Sequence, residues 1–219
     1  MDDVALLTRS ELFSALDGDA LRRVLAGARP IRCSRNDVIL SEGDDAKELY
    51  VVRSGRVAIV KRSPDGRESV LALMEAGDLF GEMSLFDVEP RSAGARALES
   101  SELLSVPYPP IKAVLEERPQ LLGEVVAMLS RRLRAENSAL ADSVFLDVTG
   151  RTAKRLLELA GEADEFLLPI TQEELAGLVG ASRERVNKAI SAFVRLGWIE
   201  QVDRRYRISD RTQLARRAR

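Results

Sequence analysis

The stretch from Pro119 to Leu146 constrains this chain more than any other part of it. After Pro119 it holds no proline and a single glycine, Gly123, so it predicts one long helix. Its apolar residues are Leu122, Val126, Leu129, Leu133 and Leu140; with position 136 filling the remaining step, they recur at intervals of 4, 3, 4, 3 and 4. Those intervals are those of a coiled-coil seam, narrower than the stripe of a helix resting on a core. A helix packed on its own domain is the alternative, but a self-complementary seam on a parallel two-fold axis fits the spacing better. Glu136 interrupts the seam where an apolar residue is expected.

The chain has a different grain on each side of that helix. Residues 12–28 have helical spacing, with Asp17 as N-cap. Between Ile31 and Pro107, short β-type runs (Glu48–Arg53, Arg56–Arg62, Ser69–Leu73, Glu102–Val106) alternate with glycine turns. Such a pattern predicts an antiparallel roll or barrel, with a hairpin at Pro64-Asp65-Gly66. Beyond the long helix, Asp147–Gly150 reads as a hinge. Helices follow near Arg151–Ala160, Gln172–Val179 and Arg183–Leu196, then two β runs around Asp203-Arg204. A helix-turn-helix followed by a hairpin is a winged helix. The expected architecture is therefore α+β: an N-terminal antiparallel β-roll over residues 1–118, a long dimerisation helix over 119–146, a hinge at 147–150 and a winged helix-turn-helix over 151–219.

The reading element is Val179–Lys188, VGASRERVNK: a glycine turn, a helix N-cap, then Arg183, Glu184 and Lys188 on one side of the new helix. Arginine and lysine donate to the O6 and N7 acceptors of guanine, and a carboxylate accepts from the cytosine amino group. Thr171 and Ser182 stand at helix starts, where a hydroxyl and free N–H groups meet a phosphate; each is also a plain N-cap. Arg204, Arg205 and Arg207 of the hairpin are further candidates for phosphate contacts. Charge agrees with this reading. Residues 148–219 carry 14 Lys+Arg against 10 Asp+Glu, whereas residues 1–147 carry 19 against 25.

The acidic half holds its densest chemical signal at Phe80–Ala93, FGEMSLFDVEPRSA. Gly81 lets a ligand approach the backbone, and Arg91 is a fork-shaped cation suited to a phosphate. Ser92 adds a hydroxyl, and Glu82 can only accept hydrogen bonds, as a sugar hydroxyl requires. Phosphate and sugar contacts within one segment point to a nucleotide; a solvated loop with a surface arginine is the alternative.

Several function classes fall away. The chain has no histidine and one cysteine, Cys33, which excludes an internal disulfide, an iron–sulfur cluster and histidine-ligated haem, and no metal site is expected. No Ser/His/Asp or Cys/His constellation exists, so an enzyme with a regulatory nucleotide domain is disfavoured. No apolar run is long enough to span a membrane, and the acidic N-terminus lacks the build of a signal peptide, so a cytoplasmic setting is expected.

Taken together, FGEMSLFDVEPRSA, the helix ending SRRLRAENSALADSVFLDVTGR and the reader ITQEELAGLVGASRERVNKAI resemble the cyclic AMP receptor protein/FNR family of transcription regulators over essentially the whole chain. Phe145–Arg151 is similar to the cyclic AMP receptor branch, and the tail Leu214–Arg219 to actinobacterial members. The resemblance implies a cyclic-nucleotide-binding jelly roll in a homodimer that contacts RNA polymerase. It places Gly81 and Glu82 on the ribose side of cyclic AMP, with Met83 among the nucleotide-binding residues, and Arg91, Ser92 and Ala93 on the cyclic phosphate. The adenine falls to Glu136 and Asn137, where the family has Thr followed by Ser or Asn. Glu136 departs from that pattern. Either its carboxylate accepts from the adenine amino group, or it pairs with Arg132 one turn earlier and never meets ligand. The resemblance also implies a palindromic TGTGA-like operator, with Lys188 standing where many members have Arg.

Overall fold

The computed structural model describes residues 2–64, 66 and 68–219, so the expected hairpin tip at Asp65 lies outside the described residues. The chain forms two compact units, Met1–Arg67 with Leu71–Leu133, and Glu68–Val70 with Arg134–Arg219.

The first unit begins with α1 (Asp3–Arg9) and α2 (Gly18–Leu25); Asp17 caps α2 by accepting from the Ala20 amide. Two antiparallel sheets follow. One has the order β1 (Arg29–Cys33), β8 (Ser101–Pro107), β3 (Glu48–Ser54), β6 (Leu79–Phe80); the other has β2 (Val38–Leu40), β7 (Gly94–Ala97), β4 (Val57–Arg62), β5 (Glu68–Met74). Tyr50, Val52 and Leu103 from the first sheet meet Val57, Ala95 and Ala97 from the second in the roll interior. The alternate residues Leu49, Val51, Leu104 and Val106 face outward beneath α1, α2, α4 (Tyr108–Glu117) and the start of α5 (Leu122–Phe145). β3 is therefore covered on both faces, which is why it reads as a continuous apolar run instead of alternating. Pro30 is accommodated in β1 because β1 is an edge strand.

α5 carries two apolar faces. Val125 and Met128 are buried in the roll's helical layer, so the reading of a helix packed on its own domain holds for that face. The predicted seam is separate from it: Val126 is 62% exposed, Leu133 59% and Leu140 64%. Residues this apolar and this open, repeated over about four turns of one helix, are left uncovered by the described residues.

The second unit continues with α6 (Val148–Ala160), β9 (Glu165–Leu167), α7 (Gln172–Val179), α8 (Arg183–Arg195), β10 (Ile199–Val202), β11 (Arg205–Ile208) and α9 (Arg211–Arg217). Of the residues expected as a hinge, 147–150, only Asp147 lies outside a helix. Asp147 is the N-cap of α6 and accepts from the Gly150 amide at 2.8 Å, so Val148–Gly150 are already helical and the break is confined to Leu146-Asp147. The wing is a three-stranded sheet of order β10-β11-β9, its third strand unforeseen because Glu165–Leu167 is too short to show a period.

Candidate functional site

In the roll, β6 pairs with β3 and delivers the chain to Gly81, whose φ of +79° only glycine adopts without strain. A short helix, α3 (Met83–Asp87), follows, and Val88 ends it in the left-handed region. Arg91 returns beneath Gly81. Its backbone is tied to the 42–44 turn, donating to Asp44 O at 2.9 Å and accepting from the Gly43 amide at 2.8 Å. The residue as a whole is only 6% exposed. Nη1 donates to Gly81 O at 2.8 Å and to the Tyr108 hydroxyl at 3.1 Å, and Nη2 donates to Glu48 O at 2.6 Å. The guanidinium carbon lies 5.8 Å from the Tyr50 ring centre, and Tyr50 stacks in turn on Phe80. Three of the fork's five N–H groups are thus committed to protein acceptors, which hold the other two in a fixed direction.

The groups around this arginine are tuned by burial. Tyr50 is pushed up to about 12, by burial first and then by its hydrogen bond to Glu48. Burial also raises Tyr108. Burial acts to raise Glu48 too, but hydrogen bonds from Ser105 and Tyr50 and the charge of Arg29 outweigh it, and the carboxyl ends below its ordinary value. At neutral pH both phenols therefore donate while Glu48 accepts.

Glu82 is 3% exposed and forms an ion pair with Arg132, whose Nη2 also donates to Leu79 O at 3.0 Å. This corrects one of the two readings of Glu136: Arg132 faces Glu82 and Leu79, not Glu136 on its own helix. The reason is directional. Val125, Met128 and Arg132 follow one another at steps of 3 and 4 on the roll-facing side of α5, whereas Glu136 is exposed. Tyr50, Tyr108 and Glu48 escaped the sequence reading, and so did the role of Arg132, which entered it only as a partner of Glu136. Only Arg132 carried a local signal, that second stripe.

Met83 and Ser92 are exposed, Ala93 is half-buried, and the Ser92 hydroxyl lies 3.5 Å from Met83 Sδ. Lys61 Nζ donates to Ser92 O at 3.0 Å and pairs with Glu42. Gly81, Glu82, Met83, Arg91, Ser92 and Ala93 therefore belong to one cassette. Glu136 and Asn137 are exposed on α5 within the second unit.

The reader is built from local chemistry. Thr171 and Glu174 form a reciprocal capping box at the start of α7, and Gly180, at φ +67°, ends that helix. Ser182 caps α8, accepting from the Arg185 amide. Val186, Ala189, Ile190 and Phe193 form the buried stripe of α8, which leaves Arg183, Glu184 and Lys188 exposed together. Arg185 is exposed beside them, one turn before Lys188, and the sequence reading passed over it. In the wing, Arg204 donates to Leu168 O at 2.9 Å and Arg207 lies between Glu165 and Glu200, so both have protein partners.

The same two regions match known protein families. Residues 30–118 match the cyclic nucleotide-binding domain, and residues 150–217 match the Crp-like helix-turn-helix domain. A CRP-like cAMP-activated global transcriptional regulator of Mycobacterium tuberculosis is 39% identical over 226 aligned positions, covering 100% of both chains. The chain belongs to the cyclic AMP receptor protein/FNR family. As a member it is a DNA-binding transcriptional regulator with a cyclic nucleotide-binding domain, and its relatives are regulators, not enzymes. Among solved structures, FixK2 from Bradyrhizobium japonicum has the same fold, with a TM-score of 0.78 at 23% identity over 86% of this chain and 96% of that one. The c-di-GMP responsive global regulator CLP of Xanthomonas campestris aligns with a TM-score of 0.75 at 27% identity, over 88% and 99% of the two chains. No described helix is long and apolar enough to cross a membrane.

Proposed function

We propose that this chain acts in the cytoplasm as a homodimer, joined along the α5 seam, that reads a palindromic TGTGA-like operator under the control of cyclic AMP and works through RNA polymerase. The observation that carries the nucleotide reading is the buried Arg91 held beneath Gly81. Its fork is fixed by three protein acceptors, with two N–H groups left for a phosphate. Ser92 and the Ala93 amide complete the phosphate side. Glu82, charge-balanced by Arg132, accepts from a ribose hydroxyl, with Met83 beside it. Glu136 and Asn137 are assigned to the purine. A carboxylate at position 136 matches the amino group of adenine, and guanine offers no donor at that position of its ring.

On DNA, Arg183 and Lys188 donate to guanines and Glu184 accepts from a cytosine, while Thr171 and Ser182 hold phosphates. Lysine cannot fork onto a base as arginine does, so discrimination at its position is softer than in members with Arg. Two readers related by a two-fold axis meet half-sites about 34 Å apart. Cyclic AMP shifts the equilibrium between two dimer forms in proportion to its differential affinity for them.

A second reading keeps the architecture with another effector. It is favoured by the departure at Glu136 and by CLP, a relative responsive to c-di-GMP. Fluorescence anisotropy on a palindromic TGTGA duplex at fixed salt tests both readings, with cyclic AMP, cyclic GMP, c-di-GMP or no nucleotide. Tightening by cyclic AMP alone is expected, and Arg183→Ala should cost about 1–3 kcal/mol of operator affinity. Unchanged affinity in Arg183→Ala overturns the docking; no calorimetric binding of cyclic AMP at millimolar concentration overturns the choice of effector.

A further inference from the structure

The C-terminal ends of two helices in the second unit converge on a single cation. Arg151, in the first turn of α6, donates from Nη1 to Leu146 O at 2.7 Å, from Nε to Val179 O at 2.8 Å, and from Nη2 to Gly180 O at 3.5 Å. Leu146 immediately follows α5; Val179 and Gly180 are the last residue and the C-cap of α7. All three carbonyls lie where a helix has run out of its own N–H donors, at the negative ends of two helix dipoles. A half-buried guanidinium is suited to both needs at once, since its donors point in fixed, diverging directions.

The surroundings leave this junction little slack. Lys154 pairs with Asp142 in the last turn of α5, and Arg217 of α9 pairs with Asp147 at the break. A side chain at Gly150 would lie 3.0 Å from Arg217 O and 3.3 Å from Leu146 Cβ. Gly180, in turn, stands two residues before the Ser182 N-cap of α8. A displacement of the α5 terminus therefore has a short path to the start of the reader through one side chain, without deforming the apolar core between α6 and α8.

We propose that Arg151 is a positioning residue for DNA reading: by bridging the end of the long helix to the turn that launches α8, it sets the pose in which the reader helix is presented. The bridge acts through carbonyls and makes no contact with DNA. Its effect on operator spacing rests on the reading above, that paired readers meet a palindrome.

The test uses the full-length protein as Arg151→Met, which keeps the aliphatic stem and removes the donors, and as Arg151→Lys, which keeps the charge but cannot span both helix ends. Dissociation constants are measured for the operator, for operators with the half-sites one base pair closer or farther apart, and for unrelated duplex DNA. Loss of one charge-assisted bond is worth about tenfold, so Arg151→Met should narrow the ratio of operator to unrelated-DNA affinity by about tenfold. Affinity for unrelated DNA should stay unchanged, discrimination among the three spacings should fall, and Arg151→Lys should not restore either. Because each ratio is taken within one preparation, any unfolded fraction cancels. Parent-like ratios in Arg151→Met, or full rescue by lysine, overturn the proposal. If the parent itself binds all three spacings equally, the palindrome reading fails, and the operator to unrelated-DNA ratio still decides the role of Arg151.

Discussion

Replacing Gly81 by alanine tests the buried arginine on which the proposed nucleotide site depends. Two penalties act together. At φ +79° an L-residue is in the left-handed region, at a cost of about 1 kcal/mol. The new Cβ would also lie 2.7 Å from Arg91 Nη1, closer than such atoms approach, so the guanidinium must move. Moving it breaks or stretches the bonds to Gly81 O and Glu48 O, and a hydrogen bond to a charged group is worth about 1.5–3 kcal/mol. Gly43 supplies the control: its φ of +85° carries the same backbone penalty, but nothing lies within 4 Å of its would-be Cβ. Gly43→Ala should thus lose about 1 kcal/mol and Gly81→Ala about 3 kcal/mol. In a chain of this size that difference separates the two melting midpoints by roughly 4–8 °C, read by circular dichroism without nucleotide. Gly81→Ala should also show the smaller stabilisation when cyclic AMP is added. Coincident midpoints for the two variants would refute the claim that Arg91 is clamped beneath Gly81.

Two further outcomes are expected. Leu133→Asp places a charge in the α5 seam at a side chain the chain itself leaves 59% exposed, so the isolated chain should keep its fold while sedimentation shifts towards the monomer; an unchanged sedimentation coefficient at micromolar concentration would remove the seam as the dimer contact. Asp147 is held below its ordinary carboxyl value: the Gly150 amide is the largest cause, burial opposes it, and the hydrogen bond and charge of Arg217 add to the lowering. A carboxyl depressed in the folded state contributes stability above its unfolded value and loses it as pH falls through the folded one. The gap in melting temperature between the parent and Asp147→Asn should therefore be widest near neutral pH and close below about pH 4, and a gap independent of pH would contradict the cap.

The two candidate sites differ in how much of them could be read from the chain. The reader depends on interactions spanning a few residues: Thr171 with Glu174, Ser182 with Arg185, the glycine at 180, and the buried steps from Val186 to Phe193. Spacing expresses such interactions directly, so the exposed side of α8 was legible, Arg185 apart. The exposed apolar stripe on α5 was legible for the same reason. Glu136 shows the limit: its distance from Arg132 permits a pair, yet the direction of Arg132 is decided by Glu82, 50 residues earlier in the chain.

By itself the sequence determined the order of the elements, their caps and turns, the two-domain plan and the surface of α8 that faces outward, because each follows from neighbours within one or two helical turns. Tertiary structure alone decided that Arg91 is buried against Glu48, 43 residues away, that Tyr108 joins it, and that Arg151 reaches the carbonyls at 179 and 180. Those partners meet only after sheets and helices have packed. A buried cation takes whichever acceptors packing leaves without donors, and no local pattern in a chain specifies which carbonyls those will be.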